Sequence, residues 1–201
     1  MKLLFIRHGQ TDTNILGLTH YSHDFSGLSE EGIQQAKCLA AFCKAQKVEK
    51  LFSSPAKRAL ETTHLINETL NVATNVLPDL TERRWGKWAG RPWTDIHQAL
   101  SAMTIEQRYT FIPPDGESWQ QMEDRLRNAL SNLVLQSLDR LAVITHGGVL
   151  SGLMHVIQPL SKEQTIALQF DNASITTVSY KENGFKVLSI NETNHLQIIP
   201  T

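Results

Sequence analysis

Two apolar runs in this chain break off into histidine, and chemistry can be placed at those two points. Lys2-Leu3-Leu4-Phe5-Ile6 ends in Arg7-His8-Gly9-Gln10-Thr11, with Asn14 three residues on. Arg140-Leu141-Ala142-Val143-Ile144-Thr145 ends in His146-Gly147-Gly148. Short apolar runs bounded this way read as buried strands. A buried strand that breaks into Arg-His-Gly puts a cation and an imidazole at the carboxyl edge of a sheet, where open α/β sheets bind their ligands. Gly9 permits the tight turn that brings both groups to one spot. An anion next to a nucleophilic His is most often a phosphoryl group. If the two strands are parallel neighbours, His8 and His146 meet at the same edge.

Phosphoryl transfer depends on positioning and on charge stabilisation at the equatorial oxygens. Arg7 and Arg58 can each offer a planar fork to those oxygens. His146-Gly147-Gly148 opens a helix whose free backbone N–H groups form an anion site, and Asn14 and Thr11 can add neutral donors. A nucleophilic imidazole must be neutral, with its second nitrogen held by a hydrogen bond that fixes the tautomer. The leaving alkoxide needs a proton, and Glu82 is the best-placed general acid in the chain. Glu117 is open between lining the pocket and serving as a first-turn helix acid. His20 and His23 are expected to be solvated loop positions.

The elements that must position these groups alternate strand and helix. Strands are expected at 2–7, 48–53, 75–77 and 140–145. Helices follow from Ser29 as N-cap to about Ala45, after Ser54-Pro55 with Ser54 as N-cap, near 93–103, over 119–138, and from Gly147 to about Ile157. Ser118 and Gln121 have the spacing of a capping box for the helix over 119–138. Residues 175–180 and 185–190 form a hairpin around Glu182-Asn183-Gly184, and the last ten residues read as an edge strand or a loose tail. Alternation of this kind predicts an α/β fold, a three-layer α/β/α sandwich on a mostly parallel sheet with at least one antiparallel edge strand. Residues 1–201 are expected to form one domain. The stretch 83–117, rich in Trp, Arg and Pro, is expected to be a lid beside the sheet edge.

The bulk properties narrow the field. A chain of 201 residues is long enough to bury a real core. Its formal net charge of −1 gives no global basic field for nucleic acid or a membrane surface, so any attraction for anions must be local. Its apolar runs are far shorter than the roughly 18 residues of a transmembrane helix, and Arg7-His8 cuts the first run too early for a signal peptide. A cytoplasmic location is therefore expected, with no nucleic-acid or membrane partner. Cys38 and Cys43 lie five apart in a helical pattern, have no metal-ligand spacing, and read as apolar filler.

With these residues in hand, a resemblance appears. Arg7-His8-Gly9 with Thr11 and Asn14, Ser53-Ser54-Pro55-Ala56-Lys57-Arg58-Ala59 with Thr62, Leu80-Thr81-Glu82, Gly86-Lys87-Trp88-Ala89-Gly90, Asp115-Gly116-Glu117-Ser118 and His146-Gly147-Gly148 follow one another as in the histidine phosphatase superfamily. The chain resembles the phosphoglycerate mutase-like branch from residue 2 to about residue 178. That branch includes cofactor-dependent mutases, fructose-2,6-bisphosphatase and α-ribazole phosphatase. The resemblance implies that His8 becomes phosphohistidine. It implies that Arg7, Arg58, His146, Asn14 and the backbone at Gly147 hold the phosphoryl group, and that Glu82 is proton donor and then base. It implies no metal and no other cofactor. Gln10 stands where the family usually has Glu, and Arg83-Arg84 after the acid is a less usual pair.

The resembling mutases are longer and carry a basic lid that excludes water. The short 83–117 stretch favours hydrolysis of a small phosphomonoester over mutase-type transfer. A catalytically silent phospho-ligand binder is disfavoured, because Arg7, His8, Arg58, Glu82 and His146 are all present. Arg83, Arg84 and Arg91 are candidates for a second anionic group. Trp85, Trp88, Trp93 and Trp119 could wall a larger leaving group, although Trp85 and Trp88 also suit packing under the loop. A monomer or a homodimer fits the pattern equally.

Overall fold

A computed structural model of the protein describes residues 1–21 and 26–197. The chain begins with β1 (Lys2–Arg7), a four-residue turn of helix α1 (Asp12–Ile15), and α2 (Glu30–Ala45). It continues through β2 (Lys50–Ser53), α3 (Lys57–Leu70) and β3 (Ala73–Val76). Two short helices, α4 (Trp93–Ser101) and α5 (Ile105–Thr110), precede the longer α6 (Trp119–Val134). Then come β4 (Arg140–Thr145), α7 (Gly147–Ile157), α8 (Lys162–Ala167), and the hairpin β5 (Ile175–Lys181) and β6 (Gly184–Glu192).

The six strands lie in the order β3-β2-β4-β1-β5-β6. The first four run parallel, and β5 and β6 are antiparallel. Period-2 alternation sends side chains to opposite faces, and both faces are apolar. Leu3 and Phe5 of β1 and Leu141 and Val143 of β4 pack with α6 and α7, around Met122, Leu126 and Leu150. Leu4, Ile6, Ala142 and Ile144 face the other way, onto Leu39 and Cys43 of α2 and Ala59 and Ile66 of α3. Strands buried on both faces read as continuous apolar runs rather than alternating ones, which is why β1 and β4 are so legible in the sequence. Helices therefore cover both faces of a mostly parallel sheet.

The register positions the site. Arg7 pairs with Thr145 across the parallel β1/β4 ladder, so His8 and His146 leave the sheet side by side. Residues 83–117 fold back onto the loop after β1: Gly90 N donates to Thr19 O, and Trp93 N to Gly17 O, each near 3 Å.

Several boundaries differ from the sequence reading. The 119–138 helix stops at Val134, since the chain must turn back to reach β4 by Arg140. Among the described residues of the expected tail no further strand follows: β6 already holds the edge, and a 3-10 turn at Asn194–Gln197 lays His195 against Phe42 of α2. The remaining four residues of the expected tail lie outside the described residues. Helices α1, α5 and α8 were not foreseen, each being too short to show a period. Cys38 and Cys43 are buried, and burial pushes the Cys43 thiol up to about 12.

Candidate active site

His8 leaves β1 buried, and its Nδ1 lies 2.7 Å from Gly9 O. A carbonyl can only accept, so Nδ1 carries the proton and Nε2 keeps its lone pair. The chain turns sharply at Gly9, which packs on the N-terminus of α2; an added Cβ would lie 2.5 Å from Gly32 O. Gly9 N donates to Thr62 Oγ1 of α3, a second tie that fixes the loop.

Arg58, fully buried in the first turn of α3, reaches between the two imidazoles. Its Nε donates to His8 Nε2 at 3.2 Å, and its Nη2 lies 3.1 Å from His146 Nδ1. On the other side of the His146 ring, Nε2 lies 2.7 Å from Ser54 Oγ. Ser54 is therefore not the N-cap of α3, whose cap position is Ala56 with no side-chain bond. Its hydroxyl faces His146 and also accepts from Ala56 N at 3.3 Å. The rings of His8 and His146 are 5.2 Å apart. Burial, with the guanidiniums of Arg58 and Arg7 close by, holds the His8 imidazole well below its ordinary range. Burial and Arg58 do the same to His146. Both rings are neutral near neutrality, as a nucleophile requires.

Arg7 donates from Nη1 to Phe170 O, and its buried Nε has no protein partner. Burial lowers its pKa, while Glu82 and Asp171 oppose that shift. Gly147 Cα faces Arg7; a Cβ there would sit 3.6 Å from its Nε. Asn14 accepts at Oδ1 from Thr11 N, Thr11 Oγ1 and Asn172 Nδ2, all within 3.1 Å. Three donors on the oxygen leave the Asn14 NH2 as the group it can offer a ligand. Thr11 is the N-cap of α1, so it acts through Asn14 more than directly.

Glu82 sits in the loop after β3, half-buried. Its Oε1 accepts from Arg83 N at 2.8 Å and its Oε2 from Gly148 N at 3.2 Å, at the N-terminus of α7. Gly148 leaves the room, because a Cβ there would lie 2.5 Å from Glu82 Oε1. A carboxyl group therefore stands at the N-terminus of the helix that His146 opens, within electrostatic reach of the Arg7 guanidinium.

Arg83 departs from the sequence expectation. Its guanidinium is buried, donating to Glu117 O and Phe111 O, and lies over the rings of Trp85 and Trp119 at 4.4 and 5.2 Å. Burial pushes it down to about 10, still charged near neutrality. It packs the 83–117 segment rather than facing a ligand. Arg84 keeps its side chain half-exposed, 3.5 Å from Glu117. Glu117, left open by the sequence, is buried and pairs with Arg125. Trp85 is core under the loop, Trp88 packs on Phe111, and Trp93 is 41% exposed.

His20 is not a solvated loop residue. Its ring lies 5.7 Å from His8, and its Nε2 lies 3.1 Å from Thr11 Oγ1. His23 falls outside the described residues. Sequence reasoning missed Asn172 and Arg125. Asn172 comes from the loop before β5 and also donates to His8 O; no short motif marks it. Arg125 stands eight residues after Glu117 on α6, a spacing that only a helix drawn in full reveals. Among the described residues, no group of three or more His, Cys, Asp or Glu could hold a metal ion, and no helix is long and apolar enough to cross a membrane.

Comparisons with known proteins place relatives beside this chain. The chain is 31% identical over 155 residues to the adenosylcobalamin/α-ribazole phosphatase of Salmonella typhimurium, covering 75% of this chain and 76% of that one. It is 30% identical to a metal-independent phosphoserine phosphatase of Arabidopsis thaliana, over 98% of this chain and 84% of the relative. Among solved structures, phosphoserine phosphatase of Entamoeba histolytica in complex with 3-phosphoglyceric acid superposes with a TM-score of 0.84 at 24% identity, over 97% and 98% of the two chains. The family model of the histidine phosphatase superfamily (branch 1) matches residues 3–193, so the two strand-end histidines that meet on Arg58 belong to a chain of that superfamily.

Proposed function

We propose that the protein hydrolyses a small phosphomonoester through a phosphohistidine formed on His8. The observation that carries this reading is the His8 ring itself. It is buried, neutral and tautomerically fixed by Gly9 O, and its Nε2 points at the guanidinium that would also take the phosphoryl oxygens. In the first step Nε2 attacks phosphorus and the bond to the leaving oxygen breaks. Glu82 gives that oxygen its proton. In the second step Glu82 takes a proton from water, which attacks phosphorus and breaks the P–N bond. Arg7, Arg58, His146, Asn14 and the Gly147 N–H are the groups assigned to the equatorial oxygens.

The chain works as one domain in this reading, with 83–117 as its lid. Arg84, half-exposed at the rim, is the residue assigned to a second anionic group on the substrate, and Arg83 supports the lid from within. The α-ribazole and phosphoserine phosphatases among the relatives act on small phosphomonoesters of very different leaving groups, and both belong in the first panel of substrates.

The test measures phosphate release, with a chelator present, from an aryl phosphate, α-ribazole phosphate, phosphoserine, sugar phosphates, nucleotides and 3-phosphoglycerate. Acid-quenched protein is assayed alongside for an acid-labile phosphoryl group. His8→Ala is expected to abolish release and labelling together. Turnover that survives His8→Ala removes the nucleophile assignment. Transfer of phosphate between glycerate positions, outrunning release, would make the chain a mutase.

A further inference from the structure

The acid loop is clamped from one side by an ion pair in which Glu117 is buried and Arg125 largely so. Arg125 on α6 spreads its guanidinium over both ends of that loop. Its Nη1 donates to Asp79 O at 2.5 Å and its Nη2 to Glu82 O at 3.3 Å. Its Nε and Nη2 also donate to the two carboxylate oxygens of Glu117, at 3.2 and 2.6 Å. Glu117 then closes the far side. Its Oε1 accepts from Arg84 N at 3.0 Å, its N donates to Arg84 O at 2.9 Å, and its O accepts from Arg83 Nε at 3.2 Å. Between these anchors stands Glu82, whose carboxyl group accepts from Arg83 N and from Gly148 N at the start of α7. A third tie joins the loop to the histidine strand, because Thr145 Oγ1 donates to Leu80 O at 2.8 Å.

A planar fork can serve four acceptors in fixed directions, which a lysine ammonium cannot. A buried charge pair is a costly way merely to hold a loop. Its geometry fixes one peptide in space, and a proton donor is effective only within hydrogen-bond reach of the leaving oxygen. We infer that Glu117 and Arg125 are positioning residues for the proton transfer by Glu82, and that in phosphohistidine formation, the step kcat/KM reads, their contribution is confined to substrates whose leaving group needs that proton. The inference rests on the assignment of Glu82 as general acid.

An aryl oxide leaves without help, whereas an alkoxide requires the acid. The readout is therefore the ratio of kcat/KM for an alkyl phosphate, such as phosphoserine or a sugar phosphate, to that for p-nitrophenyl phosphate. Glu82→Gln sets the reference: a loss at least about tenfold larger on the alkyl substrate establishes the acid. Arg125→Lys and Glu117→Gln are then expected to move the ratio in the same direction by about tenfold, while the phosphohistidine still forms from the aryl substrate. Arg125→Lys keeps the charge, and Glu117→Gln keeps the shape, so thermal melting of each checks that the fold persists. Glu117→Gln combined with Arg125→Gln removes both charges together and provides a neutral pair if either single variant melts below the assay temperature. Equal losses on both substrates, or no loss, overturn the positioning role. A Glu82→Gln variant with an unchanged ratio overturns the acid assignment instead, so the two failures are distinct.

Discussion

Arg58 donates from Nε to His8 Nε2 at 3.2 Å, so the nitrogen that keeps its lone pair faces a cation. In the proposed reaction a phosphoryl oxygen takes over that N–H and leaves the lone pair to face phosphorus. The same guanidinium also touches His146 Nδ1, so one side chain sets the spacing of both rings.

Removing Arg58 should therefore cost both ground-state binding and transition-state stabilisation. Arg58→Ala is expected to lower kcat/KM on an aryl phosphate by about 100- to 1,000-fold, the usual cost of a lost charge-stabilising donor. Inhibition by vanadate should weaken as well. Arg58→Lys should recover little, because a point charge cannot serve Nε2 of His8 and Nδ1 of His146 together. Near-wild-type kinetics in Arg58→Lys would show that charge alone suffices.

The neutral imidazoles make stability pH-dependent. His8 and His146 are held well below the ordinary histidine value by burial and by Arg58. In the unfolded chain they take protons below about pH 6.5. Below that point the unfolded state binds more protons than the folded one, so stability falls as pH falls. The slope approaches about 1.4 kcal/mol per pH unit for each histidine in that window. Melting temperatures between pH 7 and pH 5 should decline, and the decline should be shallower in His146→Gln. An equally steep decline in that variant would place the linkage elsewhere.

Gly148 is held to its residue type by space. A methyl group there would meet Glu82 Oε1 at 2.5 Å. Gly148→Ala is expected to displace the carboxyl group and to slow alkyl phosphates about tenfold more than aryl ones, with a melting temperature within a few degrees of wild type. The experiment is a two-substrate kinetic comparison, and an unchanged ratio would mean that Glu82 has slack to move.

Much of this was legible in the sequence, for definite reasons. Strands β1 and β4 are buried on both faces, so they read as unbroken apolar runs, and the histidines that end them carry the parallel register with them. Ser29 and Ser118 mark their helices because a capping hydroxyl must precede the first turn, and both accept from the third residue on. Ser54 shows the limit of that rule. Its type and its neighbour Pro55 fit a cap equally well, and only the approach of His146 from a distant strand reveals the second partner of its hydroxyl. Arg83 shows another limit. A cation beside a candidate acid reads as a ligand contact, yet two indole faces and two carbonyls take it inward. Asn172 and Arg125 act on backbone atoms of remote segments, and such contacts leave no trace in local spacing.

Asn172 supplies the sharpest test of how the site is held. Its Nδ2 donates to His8 O at 3.2 Å and to Asn14 Oδ1 at 3.1 Å. The second bond, with those from Thr11, keeps the Asn14 oxygen turned away and its NH2 available. Asn172→Ala deletes two neutral hydrogen bonds, each worth about 1 kcal/mol, while Thr11 still orients Asn14. A loss in kcat/KM of about fivefold is expected. Asn172→Asp has the same shape but offers only acceptors, which would face the His8 carbonyl and the Asn14 oxygen. Asn14 would then have to rotate, presenting oxygen to the proposed phosphoryl position. Asn172→Asp should therefore fall well below Asn172→Ala. Asn172→Leu, of similar size and without charge, should match the alanine variant and so separate the donor from the volume. If the aspartate variant is as active as the alanine one, the orientation of Asn14 does not depend on Asn172.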